Sequence, residues 1–310
     1  MPMAPVSLQQ SQTAGHKCTP PPHASSSSSS DVMTPPDVPT VSGHKRRRSP
    51  SPTPPQRIIG KALIRNHMPA EQTLLGEAKK VYWGLLGALN PYAEGAEKGE
   101  LIQDALRTAQ KERRLDIPLK ATHSAYLSQT TSKFRTRIVE AARAAVKSHY
   151  ITPFVISKGV ENLLDGMAFI YQDASDQTSR IFRSPALTEV INGVWFRDKD
   201  ALGIAMKALY HPVRFETIAI AAAAVEWALE EWKSGTLEAK DWRSIERWRY
   251  EDHLATLHSF KSKKANASAT LQVWMFEQAC AHARVTSKDL DQTRGGRIPS
   301  SAFDHEEDDD

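Results

Sequence analysis

The stretch Phe215-Glu-Thr-Ile-Ala-Ile-Ala-Ala-Ala-Ala-Val-Glu-Trp-Ala-Leu-Glu-Glu-Trp232 decides the fold class. Wound as a helix, its centre from Ala219 to Val225 is apolar on every side. A helix with no polar stripe to turn toward water has to be surrounded by other helices, and its alanines let those neighbours approach closely. A membrane span is excluded by length. The apolar window Thr217 to Val225 is nine residues long and is closed by Glu216 and Glu226, against about 20 residues for a bilayer.

Outward from this segment, the chain breaks into further periodic stretches punctuated by proline. The spacing predicts helices opening at Pro69, with Leu74, Val81, Leu85 and Leu89 recurring, and over 97–114, with Leu101, Ala105 and Ala109 at i, i+4 and i+8. A third is predicted from about Ser132 to His149, placing Phe134, Ile138, Ala141 and Ala145 on one face. Shorter ones follow over 157–171, 185–196 and 199–209, and later 242–262 and 271–284. Pro69 and Pro185 fall at helix starts, where a missing N–H costs nothing. No segment alternates with period two, and there is no internal repeat or heptad run. The reading is all-α, a single large multi-helix domain over 57–302 that could divide near Pro153.

The ends differ in kind. Residues 1–56 hold twelve of the nineteen prolines and eleven serines, including the run Ser25–Ser30, with few large apolar side chains. Such a polar, low-complexity arm cannot bury enough surface to offset its ordering entropy and is expected to be disordered. Residues 303–310 form an acidic tail, also expected to be disordered. The N-terminal residues have neither a charged n-region nor an apolar h-region, so a secretory signal is not expected. Two cysteines, Cys18 and Cys280, leave no disulfide framework and no Cys-rich zinc site. The expectation is an intracellular protein.

Charge is unevenly placed. The net charge is +4, but residues 57–106 and 148–302 each balance to zero. The ordered excess lies in 107–147, with ten basic residues (Arg107, Lys111, Arg113, Arg114, Lys120, Lys133, Arg135, Arg137, Arg143, Lys147) against Glu112, Asp116 and Glu140. On a helical wheel Lys133, Arg137, Arg143 and Lys147 fall opposite the Phe134/Ile138/Ala145 stripe. That face is the candidate for binding an anion or an acidic partner, set against the plainer reading of a solvated surface. In the arm, Lys45-Arg46-Arg47-Arg48 has the accessible positive charge of a nuclear import cluster. Ser49, Ser51 and Thr53, each followed by proline, are candidate phosphorylation sites; each phosphate would add about −1.5 to −2 and cancel the cluster.

Other motifs reduce to structure. Trp242-Arg-Ser-Ile-Glu-Arg-Trp-Arg-Tyr interleaves aromatics with arginine as stacking surfaces do. Its helical spacing instead reads as core tryptophans with surface pairs such as Arg247–Glu251. Histidines at 123, 149, 211, 253, 258 and 282 show neither HxxxH nor HExxH spacing, so no metal site is expected. No GxGxxG, GxxxxGK[ST] or GxSxG occurs, and no catalytic residue and no cofactor is assigned. Catalysis would need groups such as His149, Tyr171, His211 and Glu226 to meet in one cleft.

A series of features is similar to a known set. It runs Phe134-Arg-Thr-Arg-Ile, His149-Tyr-Ile, Phe169-Ile-Tyr and Phe182-Arg-Ser-Pro-Ala-Leu-Thr-Glu-Val-Ile. Pro212 then precedes the alanine-rich helix, followed by Glu230-Glu-Trp-Lys-Ser-Gly235 and Tyr250-Glu-Asp-His-Leu254. Over about 70–265 the chain resembles a large family of domains from mushroom-forming basidiomycete fungi, designated only as a domain of unknown function. The resemblance implies a helical domain behind a variable arm and brings no site residues. The expected function is therefore a non-enzymatic binding or regulatory module, nuclear, recognising protein partners and not membranes. Nucleic-acid binding through 107–147 is the alternative, an enzyme without a recognisable motif the third, and the oligomeric state is left open.

Overall fold

The computed structural model describes residues 63–151, 158–178, 180–242 and 246–286. The arm, the Lys45–Arg48 cluster with Ser49, Ser51 and Thr53, the acidic tail and Pro153 lie outside the described residues. Ten α-helices are present among those described: α1 (Pro69–Ala88), α2 (Gly95–Arg113), α3 (Ala121–His149), α4 (Lys158–Leu164), α5 (Pro185–Trp195), α6 (Leu202–Ala205), α7 (Lys207–Tyr210), α8 (Phe215–Glu230), α9 (Arg247–Lys263) and α10 (Ala265–His282). Short 3₁₀ turns at Ile64–Asn66 and Asp165–Ile170 complete the set, and no strand occurs among the described residues. The fold is all-α.

The alanine-rich helix is the hub. From Thr217 to Val225 every residue of α8 is buried. It packs against α3, α5 and α9, with further contacts to α1 and α4. The second axis is the pair α1/α2, joined to the rest through α3 and through two glycines of α1. The Gly84 carbonyl accepts from the Tyr210 hydroxyl at 2.8 Å, and the Gly87 carbonyl from Thr217 Oγ1 at 2.8 Å. Gly87 has no room for a side chain, since a Cβ there would collide with the Trp195 indole and the Tyr210 hydroxyl. One apolar cluster runs through helices on both sides of residues 152–157.

Several boundaries differ from the sequence expectation, among them the start of α9, which is Arg247 and not 242. Helix α3 begins at Ala121, eleven residues before the predicted start, because its buried stripe there is polar. His123, Thr130 and Thr131 are buried beside Leu127. Thr131 Oγ1 bonds the Tyr82 hydroxyl at 2.9 Å, and Trp83 Nε1 donates to Thr130 Oγ1 at 3.1 Å. Helix α10 starts at Ala265 rather than 271, its first turns being small and polar with only Ser268 buried. The predicted 157–171 helix ends at Leu164 and is broken at Gly166 and Met167, both left-handed with φ of 56°, and 199–209 divides at Met206, whose φ/ψ of −109°/40° is non-helical.

The second aromatic of the Trp242–Tyr250 stretch corrects the core reading. Trp248 is 53% exposed, and its neighbour Arg249 is the buried residue. Two carboxylates of α8 and one just before α9 set that register: Arg249 donates to Glu226 (2.5 Å), Glu230 (2.7 Å) and Glu246 (2.9 Å), with Trp248 lying over the guanidinium at 4.4 Å. Three carboxylates at a helix interface require a cation more than an indole. Trp227 is buried, as its spacing predicts, with Trp242 edge-on to it at 5.6 Å, and the Arg247–Glu251 pair forms at 2.7 Å.

Candidate functional site

The cations of 107–147 do not stay together. Arg113 pairs with Glu77 at 2.7 Å, Lys120 with Glu71 at 2.5 Å and Arg143 with Glu231 at 2.6 Å. Arg107 approaches Asp104 at 3.9 Å, and Arg135 lies 5.0 Å over the Tyr92 ring. Much of the surplus read from the sequence is thus met by acids distant in the chain, which a segment count cannot register. Of the four residues on the predicted face, Lys133 and Lys147 are exposed. Arg143 is drawn to the C-terminal end of α8, and Arg137 turns the other way toward α5, its Nη2 3.5 Å from the Gly193 carbonyl.

Arg137 enters a groove of about 680 Å³ between α1, α3 and the segment after α5. One wall is a face of α1 that presents Gln72, Thr73, Gly76, Lys79, Lys80 and Trp83 at helical spacing. The other carries Val194, Arg197, Asp198, Asp200 and Leu202. Trp83 is fixed by its bond to Thr130 and by its tilted contact with Phe134, ring centroids 5.8 Å apart, and the Lys79 ammonium lies 5.0 Å over it. The indole face thereby attracts the cation electrostatically and holds it in the groove.

The acids on the walls are already engaged in part. Glu77 binds Lys80 at 2.9 Å as well as Arg113, and Asp198 accepts from Arg197 at 2.9 Å. Neither Lys79 nor Arg137 has a carboxylate in ion-pair range among the described residues. Burial, then the charges of Lys133, Lys80 and Arg137, hold the Lys79 ammonium below its ordinary range. Burial and the neighbouring Arg197 do the same to Arg137, with Asp198 opposing. Two partly sequestered cations that repel each other and their neighbours form a place where an incoming anion is stabilised. Lys79, Lys80, Trp83 and Arg197 were not legible as site residues, because nothing in their own segments marks them as facing Arg137.

The groups that catalysis would need are separated. His149 and Tyr171 share an open cleft of about 720 Å³, with Arg180 and Asp173 also on its walls. His149 Nε2 is 2.6 Å from Glu189, and Asp173 accepts from Ser175 N and Oγ at 2.9 and 2.7 Å. Glu226 is not there; it sits between α8 and α9, bound by Arg249 and by His253 at 2.8 Å. His211 packs on Phe276, the ring centroids 4.5 Å apart and the planes tilted by 52°. Of the four, only His149 and Tyr171 meet. Cys280 is buried, which pushes its thiol up to about 11 and away from the reactive thiolate.

His67, absent from the sequence inventory of histidines, meets Glu71 and His123, their ligand atoms all within 4.8 Å of one another. No helix among the described residues is long and apolar enough to cross a membrane.

No curated protein and no solved structure matches the chain. Residues 77–260 match the family model of a domain of unknown function, DUF6532. That span takes in α8, all or most of each helix packed on it and most of the groove, and it lies inside the 70–265 of the sequence resemblance. The chain therefore belongs to the DUF6532 family.

Proposed function

We propose that this domain is a non-enzymatic binding module whose groove between α1, α3 and the segment after α5 takes an acidic segment of a protein partner. One observation supports this above the others. Lys79 and Arg137, from different helices, converge beside Trp83 without carboxylates of their own. Trp83, Val194 and Leu202 offer apolar contact next to them, which suits a carboxylate flanked by an apolar side chain. Glu77, Asp198 and Asp200 on the walls disfavour a continuous phosphate backbone. With Arg113, Lys120 and Arg143 also tied to carboxylates, duplex nucleic acid is the weaker candidate.

Titrating the full chain with a labelled oligoglutamate peptide and with duplex DNA, each at low and high salt, tests the reading. Saturable, salt-sensitive peptide binding stronger than DNA binding is expected. A slope of log affinity against log salt near −4.5 for DNA, the value for about five phosphate contacts, would favour nucleic acid instead, and no binding of either would end the proposal.

On the same reading the protein acts in the nucleus, delivered by Lys45–Arg48 and regulated by phosphates on Ser49, Ser51 and Thr53. Support comes from the basic cluster and its adjoining Ser/Thr-Pro steps. Alanine at the four basic positions should shift the protein to the cytoplasm, and an unchanged distribution would remove the import role. The similarity to basidiomycete domains supports a mushroom-forming fungus as the source.

A further inference from the structure

Away from the groove, the first turns of α1 and α3 bring together a set of side chains that neither the fold nor the binding surface uses fully. Glu71 stands in the first turn of α1, and its side chain is only 10% exposed. His67, just before the helix, places Nδ1 3.3 Å from Glu71 Oε2. His123, in the first turn of α3, is fully buried with Nε2 3.7 Å from Glu71 Oε1. That distance is too long for a hydrogen bond, and Nε2 has no other partner. A buried imidazole nitrogen that faces a carboxylate without bonding it is costly unless something else completes it.

We propose that His67, Glu71 and His123 form a binding site for a borderline divalent metal ion, with Zn²⁺ as the reference. The donor set is chemically suited, since two imidazoles and one carboxylate are a recurrent combination for Zn²⁺ and Fe²⁺. The spacing is suited as well. Ligands of a tetrahedral zinc at about 2.0–2.1 Å lie roughly 3.3 Å from each other, and the Glu71 oxygens stand 3.3 and 3.7 Å from the two histidine nitrogens. Three protein ligands leave a fourth position for water or for a group on a partner.

Without the ion, Lys120 supplies the counter-charge: its ammonium lies 2.5 Å from Glu71 Oε1. That side chain is 53% exposed and withdraws into solvent without opening the core, so Lys120 competes with the metal. The Lys120 backbone N–H points at His123 Nδ1 across 3.3 Å. It is a long bond at an exposed residue and is given up to water when Nδ1 takes the proton that metal-bound Nε2 requires. The site is independent of the groove reading, because neither Lys79 nor Arg137 belongs to it.

Calorimetric titration of the metal-free full chain with Zn²⁺, and the visible absorption of its Co²⁺ complex, test the assignment. One equivalent is expected to bind with a micromolar or tighter dissociation constant and to give the intense d–d bands of a tetrahedral ion. His67→Ala changes a residue outside α1 and should keep the helical circular dichroism while weakening binding by more than about 100-fold, beyond the ~10–100-fold seen for outer partners of a ligand. Lys120→Met should tighten it about tenfold by removing the competing charge. Lys79→Ala/Arg137→Ala should leave metal binding unchanged whether or not the groove binds peptide. Undiminished binding by His67→Ala would place the ion elsewhere and overturn the site. Absence of one-equivalent binding in both the natural chain and Lys120→Met would reduce the cluster to an ion pair.

Discussion

Arg143 on α3 holds Glu231 at the end of α8 in a two-pronged pair, Nε to Oε2 at 2.8 Å and Nη2 to Oε1 at 2.6 Å, with the carboxylate fully buried. Glu231 Oε1 also accepts the Lys240 backbone N–H at 2.7 Å, and Arg143 lies 5.2 Å over the Trp227 ring. The link joins α3 to the chain beyond α8, and it removes from the basic face one of the four residues that the helical wheel places there.

Truncating Arg143 should therefore lower stability and not only local charge. Breaking a buried pair from one side costs about 3–5 kcal/mol. Arg143 is 38% exposed, so water partly replaces it and the expected loss for Arg143→Ala is about 2–3 kcal/mol. Urea unfolding measures this. A change under roughly 0.5 kcal/mol, within the ordinary range for surface substitutions, would show that Glu231 finds another partner.

Gly87→Ala adds a single methyl where α1 meets the Trp195 indole and the Tyr210 hydroxyl. In an exposed helix that substitution stabilises slightly. Here it should destabilise by about 1–3 kcal/mol, the usual range for overpacking a tight core, and lower the thermal midpoint. Gly76→Ala, where an added Cβ meets nothing within 4 Å, is the internal control and should be neutral or stabilising.

The network between α8 and α9 makes stability depend on acid. Burial raises the Glu226 carboxyl, but the hydrogen bond from His253 and the charge of Arg249 outweigh it and hold the group below its ordinary range. A carboxyl depressed on folding contributes stability above its unfolded pKa of about 4.3 that is lost as pH falls through the folded value. Denaturation midpoints should drop progressively below about pH 5, and Glu226→Gln should be less stable at neutral pH with a shallower fall. Parallel curves for the two proteins would remove Glu226 as a contributor.

The fold was legible where burial is apolar and hidden where it is polar. Thr217 to Val225 announces its burial because no polar residue interrupts it. The first eleven residues of α3 do not, because His123, Thr130 and Thr131 occupy the buried positions, where Trp83 and Tyr82 of another helix bond the two threonines and Glu71 faces the histidine. The site was legible to a lesser degree. Arg137 is on the predicted face and in the groove, but Lys79, Lys80 and Trp83 join it only through packing. The pairing of His67 with Glu71 is visible at i, i+4, and His123 is brought to them across 52 and 56 residues of chain, a relation that no local spacing encodes.

Fluorescence anisotropy of a labelled oligoglutamate peptide, titrated with the natural chain, with Lys79→Ala/Arg137→Ala and with Lys147→Ala, addresses the groove most directly. Lys147 is exposed on α3 but does not line the groove, and so separates site binding from general attraction to positive charge. At about 1 kcal/mol per lost contact, the double substitution should weaken binding at least tenfold, with Lys147→Ala within twofold of the natural chain. Equal affinity for all three, or equal losses for both variants, would mean that the cations beside Trp83 do not form the binding site.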